Sequence, residues 1–158
     1  MTKPDLAPVQ PVLISEALIA AYRAAKYWVD LPSGKIILEI GELVQCTEQF
    51  PPHTRLAVIT ACNPFSQPLS ASDNASRQAE LIRAVEEAGI SWFPAAGTDP
   101  KGVWDPEPSV GIIGGSDDQL DGWMERFEQN AVVSVELGGL TALRLHPRGI
   151  VAQAARTC

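Results

Sequence analysis

Positive charge is in short supply in this 158-residue chain: 12 Lys and Arg stand against 19 Asp and Glu, a net charge of −7. Gripping a phosphate backbone takes clustered cations, so no nucleic-acid partner is expected. Cysteine is scarce as well. Cys46, Cys62 and Cys158 are odd in number and lack CxxC spacing, which argues against a disulfide framework or zinc cage and fits a reducing cytoplasm. No apolar run approaches the ~18 residues needed to span a membrane, so no membrane association is expected. Asp5, Pro8, Pro11 and Glu16 break up any signal-peptide core. There is no HExxH and no calcium loop, and Gly111, Gly114 and Gly115 form neither a dinucleotide-binding nor a P-loop pattern. No metal and no cofactor is expected. Neither His53 nor His146 has a nucleophile or carboxylate at triad-like spacing, so acyl transfer is poorly supported.

What remains is a globular composition, 46% hydrophobic and 20% charged, in a length that suits one domain with its own core. Residues 1–14, with Pro4, Pro8 and Pro11, read as a flexible arm, 15–146 as a single α+β domain, and 147–158 as a tail. A helix starts at Ser15 with Leu18, Tyr22, Ala25 and Val29 on one stripe. Pro32-Ser33-Gly34 then turns the chain into a strand over 35–40, and 42–54 reads as loop. Further strands are expected at 55–62, 90–95, 109–113, 131–137 and 140–145, the last two joined as a hairpin by Gly138-Gly139. Ser70 and Asp73 mark the start of a helix that Gly89 stops. Ser116 with Gln119 opens another, which carries Leu120, Trp123, Met124 and Phe127 on one face.

From 55 to 137 this order is βαββαβ, that of a ferredoxin-like split βαβ sandwich with both helices on one face of an antiparallel sheet. An N-terminal helix and strand and a C-terminal hairpin extend it. The topology places Asn63, Ser66, Asn74, Arg77, Asp99, Trp104, Glu107, Ser109, Gln129 and Asn130 at the end of the sheet where the 55–62 strand finishes. His53 and Gly114-Gly115 fall at the opposite end. At 100° per residue, Gln78 and Asn74 fall on or beside the sheet-facing stripe of Leu81, Ile82 and Val85. Polar groups there need partners or a wet cavity, and such breaks in patterning are expected at functional or strained sites.

The chain resembles a bacterial family of unknown function, domain of unknown function 3293. The resemblance rests on Ala21-Tyr22-Arg23 with Tyr27, Ile40-Gly41-Glu42, Ile59-Thr60-Ala61-Cys62-Asn63-Pro64-Phe65-Ser66, and Asn74 with Arg77 and Gln78. It continues through Gly97-Thr98-Asp99-Pro100, Trp104 with Glu107-Pro108-Ser109, and Phe127-Glu128-Gln129-Asn130-Ala131. The sequence departs from the family pattern at Cys62, where Trp precedes Asn-Pro, and after Trp104, where Pro usually follows. The family is uncharacterised, so the resemblance implies no catalytic role.

The residues themselves leave alternatives. Arg77 with Glu107 and Asp99 either binds an anionic or amide-bearing ligand or forms a structural ion pair tying the 97–107 loop to the helix. Asn63, Asn74, Gln78 and Gln129 either read a ligand or stay local, Asn63 as an Asx-turn and Gln129-Asn130 as a helix-end cap. Trp104 is a stacking platform or a plug at the core edge. Cys62 reads as inert core rather than a reactive thiolate. Glu86-Glu87 and Asp117-Asp118 read as solvated helix charges. Three functions compete: a small ligand-binding or regulatory module, an enzyme with Glu107 or Asp99 as general base and Arg77 holding an anion, and a protein–protein interaction module. A deep cleft with a carboxylate of raised pKa favours the enzyme; a shallow, fully paired cluster beside an apolar patch favours the interaction module.

Overall fold

A computed structural model describes residues 10–101 and 106–152. Among them are nine strands and three helices in a mixed α+β arrangement, mostly antiparallel: β1 (Val12–Ser15), α1 (Glu16–Ala24), β2 (Lys26–Leu31), β3 (Gly34–Leu38), β4 (Arg55–Ile59), α2 (Ala71–Glu87), β5 (Ser91–Thr98), β6 (Glu107–Ile113), α3 (Asp117–Phe127), β7 (Ala131–Glu136), β8 (Ala142–Leu145) and β9 (Gly149–Ala152). Seven strands form one sheet in the order β3-β2-β5-β6-β4-β7-β8, every neighbouring pair antiparallel. β1 and β9 form a separate two-stranded parallel ribbon.

The period-two alternation of β4 explains how one sheet serves two cores. Ala57 and Ile59 point to the face covered by α2 and α3, where they pack with Leu81, Val85, Val110, Ile112, Leu120, Trp123, Met124 and Phe127. Leu56 and Val58 point to the other face and meet Val29, Leu31, Leu38, Val133 and Val135, with Val44 and Phe50 from the 39–54 loop packed alongside. α2 begins as expected, Ser70 Oγ accepting from Asp73 N–H. α3 carries the full capping box between Ser116 and Gln119.

Three expectations are corrected. The first helix ends at Ala24, and Val29, placed on its stripe, belongs to β2. Neither Gly nor Pro marks the change. It occurs because Tyr27, Val29 and Leu31 alternate with Lys26, Trp28 and Asp30, so a strand buries Val29 and Leu31 while pairing the otherwise open edge of β5. The segments read as arm and tail supply strands: residues 12–15 pair with 149–152, and Ile14 is buried beneath them. Arg148 ties this ribbon down, bonding Glu125 of α3 and the Gln10 carbonyl. Finally, Gly138-Gly139 does not close a tight hairpin. The 41–44 stretch inserts there, Gly138 N–H donating to the Val44 carbonyl and Thr141 N–H to the Glu42 carbonyl.

Candidate functional site

Tyr27 of β2 pairs with Gly97 of β5, and Gly97 with Glu107 of β6, so the three lie in one row across adjacent strands. By pleat parity with Val29 they face away from α2 and α3. Gly97 matters for its missing side chain: the Tyr27 ring lies over it, and a Cβ there would stand 2.8 Å from Tyr27 Cδ1. One row further in on the same face comes Ser109, opposite Ala95. α1 covers this end of the sheet with Leu18, Ala21, Tyr22 and Ala24, followed by its cap Ala25, and between helix and sheet lies a cavity of about 620 Å³. No residue of α1 is buried. Its inner side meets a hollow rather than a packed core.

A strained turn closes the end of the cavity. Asn63, Phe65 and Ser66 all have positive φ, and Asn63 adopts the left-handed conformation directly before a proline, a placement that costs free energy. Reciprocal bonds hold it: Asn63 N–H donates to Asn74 Oδ1 (2.9 Å), and Asn74 Nδ2 donates to Asn63 Oδ1 (2.9 Å). Asn63 Oδ1 also accepts from Leu69 N–H, which replaces the Asx-turn expected there. Asn130 Nδ2 donates to Ser66 Oγ, and Phe65 N–H to the Glu128 carbonyl.

Most side-chain donors around the cavity are already committed. Tyr27 Oη donates to the Tyr22 carbonyl (3.1 Å), Thr60 Oγ1 to the Pro108 carbonyl (2.8 Å) and Ser109 Oγ to the Glu107 carbonyl (3.1 Å). Gln129 Nε2 donates to the carbonyls of Cys62 and Phe127, so it caps the end of α3. Asn63 Nδ2 reaches Glu107 Oε1 at 3.4 Å.

The electrostatics follow from burial. Desolvation pushes the Glu107 carboxyl above its ordinary value, partly opposed by Asn63. It raises Tyr22 and Tyr27 as well, and the charge of Glu107 adds to both. The Cys62 thiol is pushed up by burial, more than Thr60 and Arg77 oppose, in keeping with an inert thiol. None of the described lining residues is Lys, Arg or His.

The expected cluster is thus divided. Asn63, Ser66, Asp99, Glu107, Ser109 and Gln129 line the cavity. Arg77 does not: its Nε donates to the Ala61 carbonyl (2.7 Å), one terminal nitrogen to the Phe127 carbonyl (2.5 Å), and the other stands 3.6 Å from Glu128. The Arg77–Glu107 pairing is therefore replaced by a clamp between the end of β4 and the end of α3. Gln78 Oε1 accepts from Ala61 N–H (3.1 Å) beside it, and Asn74 and Asn130 brace the turn. Trp104 lies outside the described residues. Gly114 N–H donates to the Arg55 carbonyl and His53 N–H to the Leu137 carbonyl, which sets both at the far end of β4. Tyr22, Tyr27, Thr60 and Gly97, which entered the sequence analysis through the family resemblance and not as site residues, also line the cavity. The Tyr27-Val29-Leu31 alternation is the signal that points to Tyr27.

A carboxyl whose folded pKa exceeds its unfolded one stabilises the fold below the unfolded value and loses that contribution as pH rises through the folded value. Ionised Glu107 therefore works against folding at neutral pH. Glu107→Gln is expected to be at least as stable as wild type in urea at about pH 7.5, any advantage shrinking near about pH 4. A clear loss of stability at the higher pH would refute this account.

No curated protein and no solved structure matches the chain. Residues 59–132 match a family model. That stretch runs from the end of β4 through the strained turn, α2, the Gly97 and Glu107 strands and α3 into β7. Over that stretch, a little under half of the chain, it is similar to the family described as protein of unknown function (DUF3293).

Proposed function

We propose that the protein is a small ligand-binding module whose site is the cavity between α1 and the sheet, with Glu107 as its polar anchor. The observation that carries this reading is a cavity of about 620 Å³ enclosing a desolvated carboxylate. That volume is in the range of small-molecule pockets, roughly 300–1,000 Å³. The scaffold proposed for it is a ferredoxin-like split βαβ unit. Supporting this, the central strands run β5-β6-β4-β7, with α2 and α3 sharing one core against them. The site then lies on the face that those helices leave open.

A second reading is favoured by the raised pKa of Glu107: a small enzyme with that carboxylate as general base. Its expected anion binder is missing, since Arg77 is spent on backbone carbonyls outside the cavity. The committed hydroxyls also leave few groups to act as a partner acid. A hollow whose carboxylate receives one long hydrogen bond weighs against the interaction module, which called for a shallow and fully paired cluster.

Ala131→Phe, on the cavity wall, provides the test. Fragments that shift cavity resonances of the wild type in NMR should bind this variant at least about tenfold more weakly, the equivalent of about 1.4 kcal/mol. Unchanged binding, or no fragment bound by the wild type, would remove the proposal.

A further inference from the structure

The hydrogen-bond inventory of the cavity is lopsided. The hydroxyls of Tyr27, Thr60 and Ser109 and the amide of Gln129 all donate to backbone carbonyls. A ligand rich in acceptors therefore finds few donors to meet it. Acceptors, by contrast, are left over. Glu107 receives one long bond, 3.4 Å from Asn63 Nδ2. An ionised carboxylate offers roughly four acceptor positions. No described lining residue carries positive charge. An anion would enter against the charge of Glu107 with no cation among the described lining residues to receive it, and a neutral molecule would leave a desolvated carboxylate unmatched. Apart from Ser66 and Thr98, the rest of the lining is largely apolar, with Leu18, Val58, Val133 and Leu143, and two tyrosine rings offer faces that attract cations.

We infer that the cavity takes a small molecule carrying a protonated nitrogen, an ammonium, amidinium or guanidinium, on an apolar body, with that nitrogen seated against Glu107. This rests on the cavity being a ligand site, as proposed above, and adds the chemical class of the occupant. It reverses the sign of the ligand that Arg77 suggested in the sequence. The charge-assisted bond is made in a partly desolvated site, where it is stronger than at a surface. Because Glu107 must be ionised to make it, affinity falls on acidification with a midpoint above the ordinary glutamate range.

Three probes of one shape and different charge test the inference: benzamidinium, benzamide and benzoate, titrated calorimetrically into wild type, Glu107→Gln and Ala131→Phe. Benzamidinium is expected to bind wild type at least about tenfold tighter than benzamide, with benzoate weakest. Glu107→Gln should abolish that preference and its pH dependence while leaving benzamide within about twofold. Ala131→Phe should weaken every probe. Benzoate binding as well as benzamidinium, or a preference for the cation that persists in Glu107→Gln, overturns the inference. If benzamide binds wild type and not Ala131→Phe, yet no charge preference appears, the cavity remains a ligand site and the cation assignment fails. If no probe binds wild type, or Ala131→Phe changes nothing, both fail together.

Discussion

Arg77→Ala is expected to lose about 3 kcal/mol of stability in urea unfolding, among the largest effects of any single change outside the cores. Its guanidinium reaches carbonyls at the ends of two different elements, beside the Gln129 amide that links Cys62 to Phe127. Ala61 belongs to the end of β4 and Phe127 to the end of α3. The Ala61 carbonyl loses its side-chain donor outright, whereas that of Phe127 keeps Gln129 Nε2. Each hydrogen bond to a charged group contributes roughly 1.5–3 kcal/mol, and an orphaned buried carbonyl adds its own cost. Arg77→Lys should recover less than half of the loss, because one ammonium cannot serve both carbonyls as a planar fork does. A loss below about 1 kcal/mol in the alanine variant would show that the clamp is not what joins these elements.

Gly111→Ala is expected to cost about 2–3 kcal/mol, the range of overpacking in a well-filled core. A Cβ at this position would meet Val29 Cγ1 at 2.5 Å and Cγ2 at 2.8 Å. Val29 is fully buried and β-branched, so it has little freedom to turn away. The two residues are not on paired strands: β5 stands between β2 and β6. The sheet coils strongly enough to bring a side chain across an intervening strand. Val29→Ala in the Gly111→Ala background should restore at least half of what the sum of the two single losses predicts. A strictly additive double-mutant cycle would show that the contact does not limit the packing.

Legibility in the sequence tracked how local the cause was. Ser70, Ser116 and Gln119 announce their helices because a cap is settled within three residues. The strands from β4 to β7 were readable in their apolar runs. The switch from α1 to β2 was not, since it depends on the β5 edge contributed some seventy residues later. The β1–β9 ribbon escaped for a related reason: Val12–Ser15 and Gly149–Ala152 look like arm and tail until each is seen to be the other's partner. At the candidate site, topology brought Asn63, Arg77, Glu107 and Gln129 to one end of the sheet but could not assign them to faces. Arg77 and Glu107 share that end, yet one bridges β4 to α3 and the other turns toward α1. Pleat parity separates them, and the parity of β6 becomes evident only once its pairing with β4 and β5 is fixed.

The ribbon also bears on the sequence of events in folding. A parallel pair between strands at opposite ends of the described chain has the greatest loop-closure entropy of any strand pairing among the described residues, and little reward until the sheet between them exists. It is thus a late contact, and one whose opening leaves the seven-stranded sheet whole. Ser15 is at once the last residue of β1 and the cap of α1, so helix and ribbon share a joint with no linker between them. The covering of the cavity is accordingly expected to open with the ribbon while the sheet beneath stays formed. Its floor belongs to the seven-stranded sheet, which that opening leaves intact.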